Sequence, residues 1–212
     1  MKLEEPVTPV IVGRSSSHFT RVVRVFAAEM AVPYSFQIVR DLMSGDPSDY
    51  AGNPALKLPA LRNAGGVWFG ALNICRELSR MSEGKLRVPW PEQLATPLLA
   101  NAQELVVQAM ATEVAWIMAK VAGDTAGNAH QSKMSKSLVN TMSWLESNAG
   151  AVFDALPGDR ELSYLEVTLF CLVTHLEFRE VLPTRSYSEL RKFCEQFSTR
   201  ASVRETAYRF DS

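Results

Sequence analysis

The chain has little of what would place it in several functional classes at once. It holds only three cysteines in 212 residues, Cys75, Cys171 and Cys194. They are odd in number, far apart and set in apolar helical patterns, which argues against a disulfide framework or a cysteine metal site and points to buried thiols in a reducing compartment. Charge of neither sign is in excess: 22 basic side chains stand against 23 acidic ones, with no long single-sign run. Nucleic acid and an anionic membrane surface are therefore not expected partners. A long hydrophobic run is also missing. The longest apolar tract, Leu165 to Leu176, contains Glu166 and His175 and is too short to cross roughly 30 Å of hydrocarbon. The opening segment MKLEEPVTPVIVG has acidic residues where an export signal needs basic ones, so a cytoplasmic location is expected. His18, His130 and His175 are too scattered in sequence to suggest a metal site, and none is expected.

What is present is regular patterning. Val10-Ile11-Val12 is a β-branched run followed by the polar turn Gly13-Arg14-Ser15-Ser16-Ser17, which suits a helix start. Phe19, Val22, Val23, Phe26, Ala27 and Met30 then form one helical face, Pro33 ends it, and residues 34–39 alternate as a half-buried strand does. Strand, helix and strand make a βαβ unit. Asp41 to Gly52 is a surface loop. An Asn53-Pro54 turn then leads to the short apolar strand Lys57-Leu58-Pro59-Ala60-Leu61. After a Gly65-Gly66 turn come the strand Val67-Trp68-Phe69 and a helix with Ala71, Ile74, Cys75 and Leu78 on one side.

Composition changes between Arg80 and Pro97, where Gly84, Pro89, Pro91 and Pro97 interrupt any regular pattern. The expected organisation is a first domain over residues 1–80, a linker over 81–97 and a second domain over 98–212. The second domain reads as helical throughout. Leu98 to Val121 is one long amphipathic stretch, Gly123 to Gly127 breaks it, and His130 to Leu156 carries Met134, Leu138, Met142, Leu145 and Val152 at helical spacing. Ser163-Tyr164-Leu165-Glu166 has the form of a capping box, with Glu166 expected to reach back to the amide of Ser163. Leu162 and Val167 are placed to form a hydrophobic staple around it.

Four segments, in this order, resemble the cytosolic glutathione transferases: Ser17-His18-Phe19-Thr20-Arg21-Val22-Val23-Arg24, Leu58-Pro59-Ala60-Leu61, the capping box, and Tyr187 to Thr206. Each motif alone is weak, but together they cover nearly the whole chain. The resemblance implies an α+β, thioredoxin-like N-terminal domain, an all-α helical-bundle C-terminal domain, glutathione as co-substrate and a homodimer. In that family a serine, cysteine or tyrosine near the end of the first strand meets the glutathione sulfur. Counting back from Arg24 puts Ser17 there, with Ser15 and Ser16 as alternatives. A hydroxyl at a helix N-terminus can donate to a thiolate while the dipole and free amides favour negative charge. Capping the helix is the other use of Ser17, and the two share compatible geometry.

Leu58-Pro59 resembles the family's cis-proline turn, in which the residue before the proline pairs its backbone with the cysteine unit of glutathione. Lys57 is a candidate partner for a ligand carboxylate, with a solvated surface lysine as the plainer use. The departure lies at Gly70-Ala71, where the family has an acidic residue followed by serine to hold the γ-glutamyl end. Both side chains are absent, leaving the amide of Ala71 at a helix N-terminus to hold a carboxylate. Two charge-assisted hydrogen bonds, at roughly 1.5–3 kcal/mol each, correspond to about two to four powers of ten in affinity. Arg14, Arg40 and Asn73 are possible substitutes that match no family motif. Met110, Thr112, Glu113 and Trp116 could line an apolar cleft for a second substrate, or simply pack the helical core.

Two functions follow as expectations. One is an enzyme that conjugates the glutathione thiolate to a small apolar electrophile, with weak or altered glutathione binding. The other is a non-catalytic binding or interaction protein that kept the fold.

Overall fold

Val10, Ile11 and Val12 favour extended backbone because branching at Cβ restricts their rotamers; they form strand β1 (Val10–Gly13) at the centre of a sheet. The structure is a computed structural model and describes residues 8–123 and 127–211. The opening residues, in which no export signal is expected, and part of the helix break at 123–127 lie outside it. By contact the chain divides into two units, Met1–Leu86 with Arg200–Ser212, and Arg87–Thr199. This partition places residues 200–212 with the first unit and puts the boundary after Leu86, inside the segment read as a linker.

In the first unit β1 leads through a polar turn into helix α1 (His18–Glu29), followed by β2 (Ser35–Ile38), β3 (Ala60–Asn63), β4 (Gly66–Phe69) and helix α2 (Ala71–Met81). The strand order is β2-β1-β3-β4, with β2 parallel to β1 and the other two pairings antiparallel. This is the thioredoxin-like arrangement. Ile11, Val12, Ala60 and Leu61 are fully buried, as are Val22, Phe26, Ile74, Cys75 and Leu78 on the helices. The apolar faces read from sequence are those that pack. His18 is fully buried.

The far side of α1 was not legible as a packed face, yet Arg21 and Arg24 are buried there. Arg24 Nε donates to the Tyr34 hydroxyl at 3.1 Å and its guanidinium lies 4.9 Å over the Phe36 ring. Arg21 Nη2 donates to the Val203 carbonyl at 3.2 Å, from helix α7 (Ala201–Glu205), which packs beside α1. The aliphatic stems cover apolar surface while the charged heads find partners.

The second unit is all helical among its described residues: α3 (Pro97–Val121), α4 (Ala129–Ala155), α5 (Tyr164–Phe178) and α6 (Ser188–Phe197). Thr96 and Asn128 cap α3 and α4 by accepting from Leu99 N–H and Gln131 N–H. Helix α5 is buried on nearly every side, as its continuous apolar composition requires. Ser163 caps it, accepting from Glu166 N–H at 3.0 Å. The expected return bond from Glu166 to the Ser163 amide is replaced. Glu166 instead accepts from the Ser163 hydroxyl at 2.7 Å and from Arg160 at 2.9 and 3.0 Å, because a guanidinium fork offers a carboxylate more than one neutral amide does. Among the described residues no helix is long and apolar enough to cross a membrane.

Candidate functional site

The register of the sheet gathers three chain segments at one end of the first unit. Val12 pairs with Ala60, and Ala60 pairs with Phe69. One row further on stand Gly13, Pro59 and Gly70, and beyond them the chain continues into the turn before α1, back into Leu58, and on into α2. Sequence order alone gives no sign of this row.

At the β1 corner a Cβ on Gly13 would come within 2.5 Å of the Thr20 side chain. Only glycine allows α1 to start that close to its strand. Ser17 is the N-cap, in extended conformation, and its Oγ accepts from Thr20 N–H at 3.3 Å. That bond uses an oxygen lone pair, so the hydroxyl proton remains available to a second acceptor. Ser17 and Ser16 are half-buried, whereas Ser15 is 1% exposed and its N–H donates to Asp211 Oδ2 at 2.8 Å.

At the β3 corner the Leu58-Pro59 bond is cis. The turn before it is held by Asn53, which is buried: its Nδ2 donates to the Lys57 carbonyl at 2.8 Å and its Oδ1 accepts from Ala55 N–H at 3.0 Å. Leu58 is half-buried, and among the described residues nothing hydrogen-bonds its main chain. Pro59 is buried and Lys57 exposed. The loop leading here is pinned by Tyr50, whose hydroxyl donates to the Leu42 carbonyl at 2.9 Å. Burial pushes that phenol up from its ordinary range, and the charges of Asp41 and Asp49 add to the shift. Nearby, the Ser48 N–H and hydroxyl hold the Asp46 carboxyl below its usual value, the amide contributing more.

At the β4 corner Gly70 has φ +83° and supplies no capping side chain to α2. The first intrahelical bond runs from Ile74 N–H to the Gly70 carbonyl, so the amides of Ala71, Leu72 and Asn73 form an uncapped helix N-terminus. Of the suggested substitutes for the missing side chains, Arg14 Nη1 donates to the Arg40 carbonyl at 3.1 Å and Asn73 Nδ2 to the Phe69 carbonyl at 3.2 Å. Both anchor local backbone. Arg40 is exposed.

In the second unit Met110 and Glu113 are fully buried, while Thr112 and Trp116 are half-buried. Glu113 Oε1 lies 2.7 Å from His175 Nδ1, so His175 is a buried, hydrogen-bonded histidine of α5. The Thr112 hydroxyl donates to the Gln108 carbonyl and Lys120 sits over the Trp116 ring. The residue at the β1 corner that sequence reading missed is Asp211. A separation of 196 residues from Ser15 leaves no local signal for it.

Residues 16–81 match the family model described as the glutathione S-transferase N-terminal domain. No curated protein is significantly similar in sequence. Among solved structures, a glutathione S-transferase of Methylobacillus flagellatus with glutathione bound superposes with a TM-score of 0.76 at 19% identity, covering 95% of this chain and 100% of that one. A glutathione S-transferase of Methylobacterium radiotolerans, in complex with glutathione sulfonate, gives 0.76 at 15% identity and 97% coverage of both chains. A glutathione transferase family member from Pseudomonas fluorescens with bound glutathione gives 0.76 at 18%, covering 95% and 100%.

The Asn53 turn can be tested directly. Asn53→Ala should lower unfolding stability by about 1–3 kcal/mol in urea, since a buried amide and two main-chain partners lose their bonds. A loss under about 0.5 kcal/mol, the range of an ordinary surface substitution, would show that the turn is held by other contacts.

Proposed function

We propose that this chain, which carries a glutathione S-transferase N-terminal domain over residues 16–81 and has the glutathione transferase fold, binds glutathione across the three corners of its sheet and conjugates the thiolate to a small apolar electrophile. The observation that supports this best is the row Gly13, Pro59 and Gly70, which brings a serine-capped helix start, a main chain at Leu58 without hydrogen-bond partners among the described residues and an uncapped helix start to one sheet end.

Each corner has a chemical part. At α1 the hydroxyl of Ser17 donates to the glutathione sulfur, and the helix N-terminus favours its anionic form. The thiol pKa falls, and a larger thiolate fraction is present at neutral pH to attack the electrophile. At Leu58 the free main chain pairs with the cysteinyl unit as an added strand. At α2 the amide of Ala71 receives the γ-glutamyl carboxylate, with Pro59 and Gly70 shaping the floor and Lys57 within the same segment for the other carboxylate. The electrophile would be held by the helical unit. Binding is weak because Gly70 and Ala71 bring no side-chain donor or acceptor. The same departure favours a second reading, a binding or interaction protein without turnover. The assembly is a homodimer and the location cytoplasmic, where the three cysteines, all buried and in no disulfide among the described residues, stay reduced.

Calorimetric titration with reduced glutathione separates the two readings. Heat with a micromolar to low-millimolar Kd is expected; no heat at millimolar ligand would leave the interaction protein. Ser17→Ala should raise the pKa of the bound thiol, followed by thiolate absorbance against pH, and an unchanged value would remove Ser17 from the mechanism. Ala71→Ser adds a hydroxyl at the α2 start and should tighten glutathione by about 10-fold or more; no gain would move the carboxylate elsewhere. Sedimentation is expected to show a dimer at micromolar concentration, against which a monomer would count.

A further inference from the structure

The last described residues return to the corner where Ser17 lies. Glu29, at the C-terminal end of α1, accepts from Arg200 Nη1 at 3.0 Å and from the Ser202 hydroxyl at 2.5 Å. Near the other end of the same helix, the Arg21 guanidinium bonds the Val203 carbonyl and lies 4.2 Å over the Tyr208 ring. Asp211 then accepts from the Ser15 N–H through Oδ2. The segment from Arg200 to Asp211 therefore runs antiparallel along α1, from its C-terminus to its N-terminus. It ends by placing a carboxylate at the start of the helix.

Two further atoms mark this as a polar seat. Ser15 Oγ, on a residue 1% exposed, and Asp211 Oδ1 are both buried without a hydrogen-bond partner among the described residues. A buried hydroxyl and a buried carboxylate oxygen left unsatisfied cost free energy that a packed interior usually avoids. The carboxylate is seated on the Ser15 amide, and the tail leading to it has Ala207, Arg209 and Phe210 exposed, Phe210 to 65%. A contact of that kind opens at low cost.

We propose that residues 207–211 are a self-held plug. The Asp211 carboxylate sits on the Ser15 amide, in the turn that leads into α1, and an incoming thiolate has to displace it from that corner. The inference rests on the reading above that glutathione presents its thiolate at this helix N-terminus. Two negative charges at one corner repel, and a tethered carboxylate competes at a high effective concentration without losing translational freedom on binding. The apparent Kd is then the intrinsic one divided by the fraction of molecules in which the tail is open. The plug lowers the expected affinity by a route independent of Gly70-Ala71. It also makes the site responsive to whatever draws the tail away.

The test uses the full chain as wild type, Asp211→Asn and Asp211→Ala, with two readouts: calorimetric titration with reduced glutathione, and hydrogen exchange of the Ser15 amide without ligand. Both variants should bind glutathione about 3- to 10-fold more tightly and exchange the Ser15 amide faster. Equal affinities would overturn the plug, and weaker binding in the variants would make Asp211 a contributor to the ligand site instead. If no protein binds glutathione at millimolar concentration, the glutathione reading fails. Exchange at Ser15 then decides alone: faster in the variants sustains the seated tail, and unchanged in both removes it.

Discussion

The site depends on the antiparallel pairing of β1 with β3. Ile11 opposite Leu61 and Val12 opposite Ala60 are all fully buried, and burying a side chain the size of Ile or Leu stabilises by about 1.5–3 kcal/mol. A slip of one residue would turn each strand's apolar set to its other face. The register is therefore tightly specified, and with it the row in which Gly13, Pro59 and Gly70 stand together. Three unrelated pieces of chain meet at one edge because a hydrophobic register puts them there.

Helix α1 carries that register outward. Its apolar face packs into the unit, and the missing Cβ of Gly13 lets its first turn come against β1. Its opposite side meets α7 and the tail through Arg21, while Arg24 ties it to Tyr34 before β2. The N-terminus of α1 is thus approached by two things at once, the Ser17 cap and the Asp211 carboxylate. One arises four residues of chain from β1, the other from the far end of the sequence.

Much of this could be read before folding was considered. The β-branched run, the period of α1, the proline ahead of β3 and the Gly65-Gly66 turn each point to one local conformation, and the structure has them. The Ser163 cap was legible for the same reason, since its acceptor and donor lie three residues apart. Glu166 was read less well, because the Arg160 guanidinium outbids the Ser163 amide only once the preceding turn has folded back. Glu146 left no signal at all: its carboxylate accepts from Glu189 N–H and Leu190 N–H at 2.9 and 3.0 Å and so caps α6 from α4. Glu113 and His175 likewise become partners only when α3 and α5 pack.

The division follows the range of the forces. Helix and strand positions, the capping serines and the glycines at turns depend on dihedral preferences and on hydrogen bonds within a few residues, so composition and spacing suffice to specify them. Ser17 at a helix start and the bare Gly70-Ala71 corner are of this kind. That these two corners stand in one row with Leu58, and that a carboxylate from position 211 reaches the amide of Ser15, depends on which faces bury together across tens to hundreds of residues. Loop closure and side-chain packing settle those pairings jointly, and no local pattern encodes them.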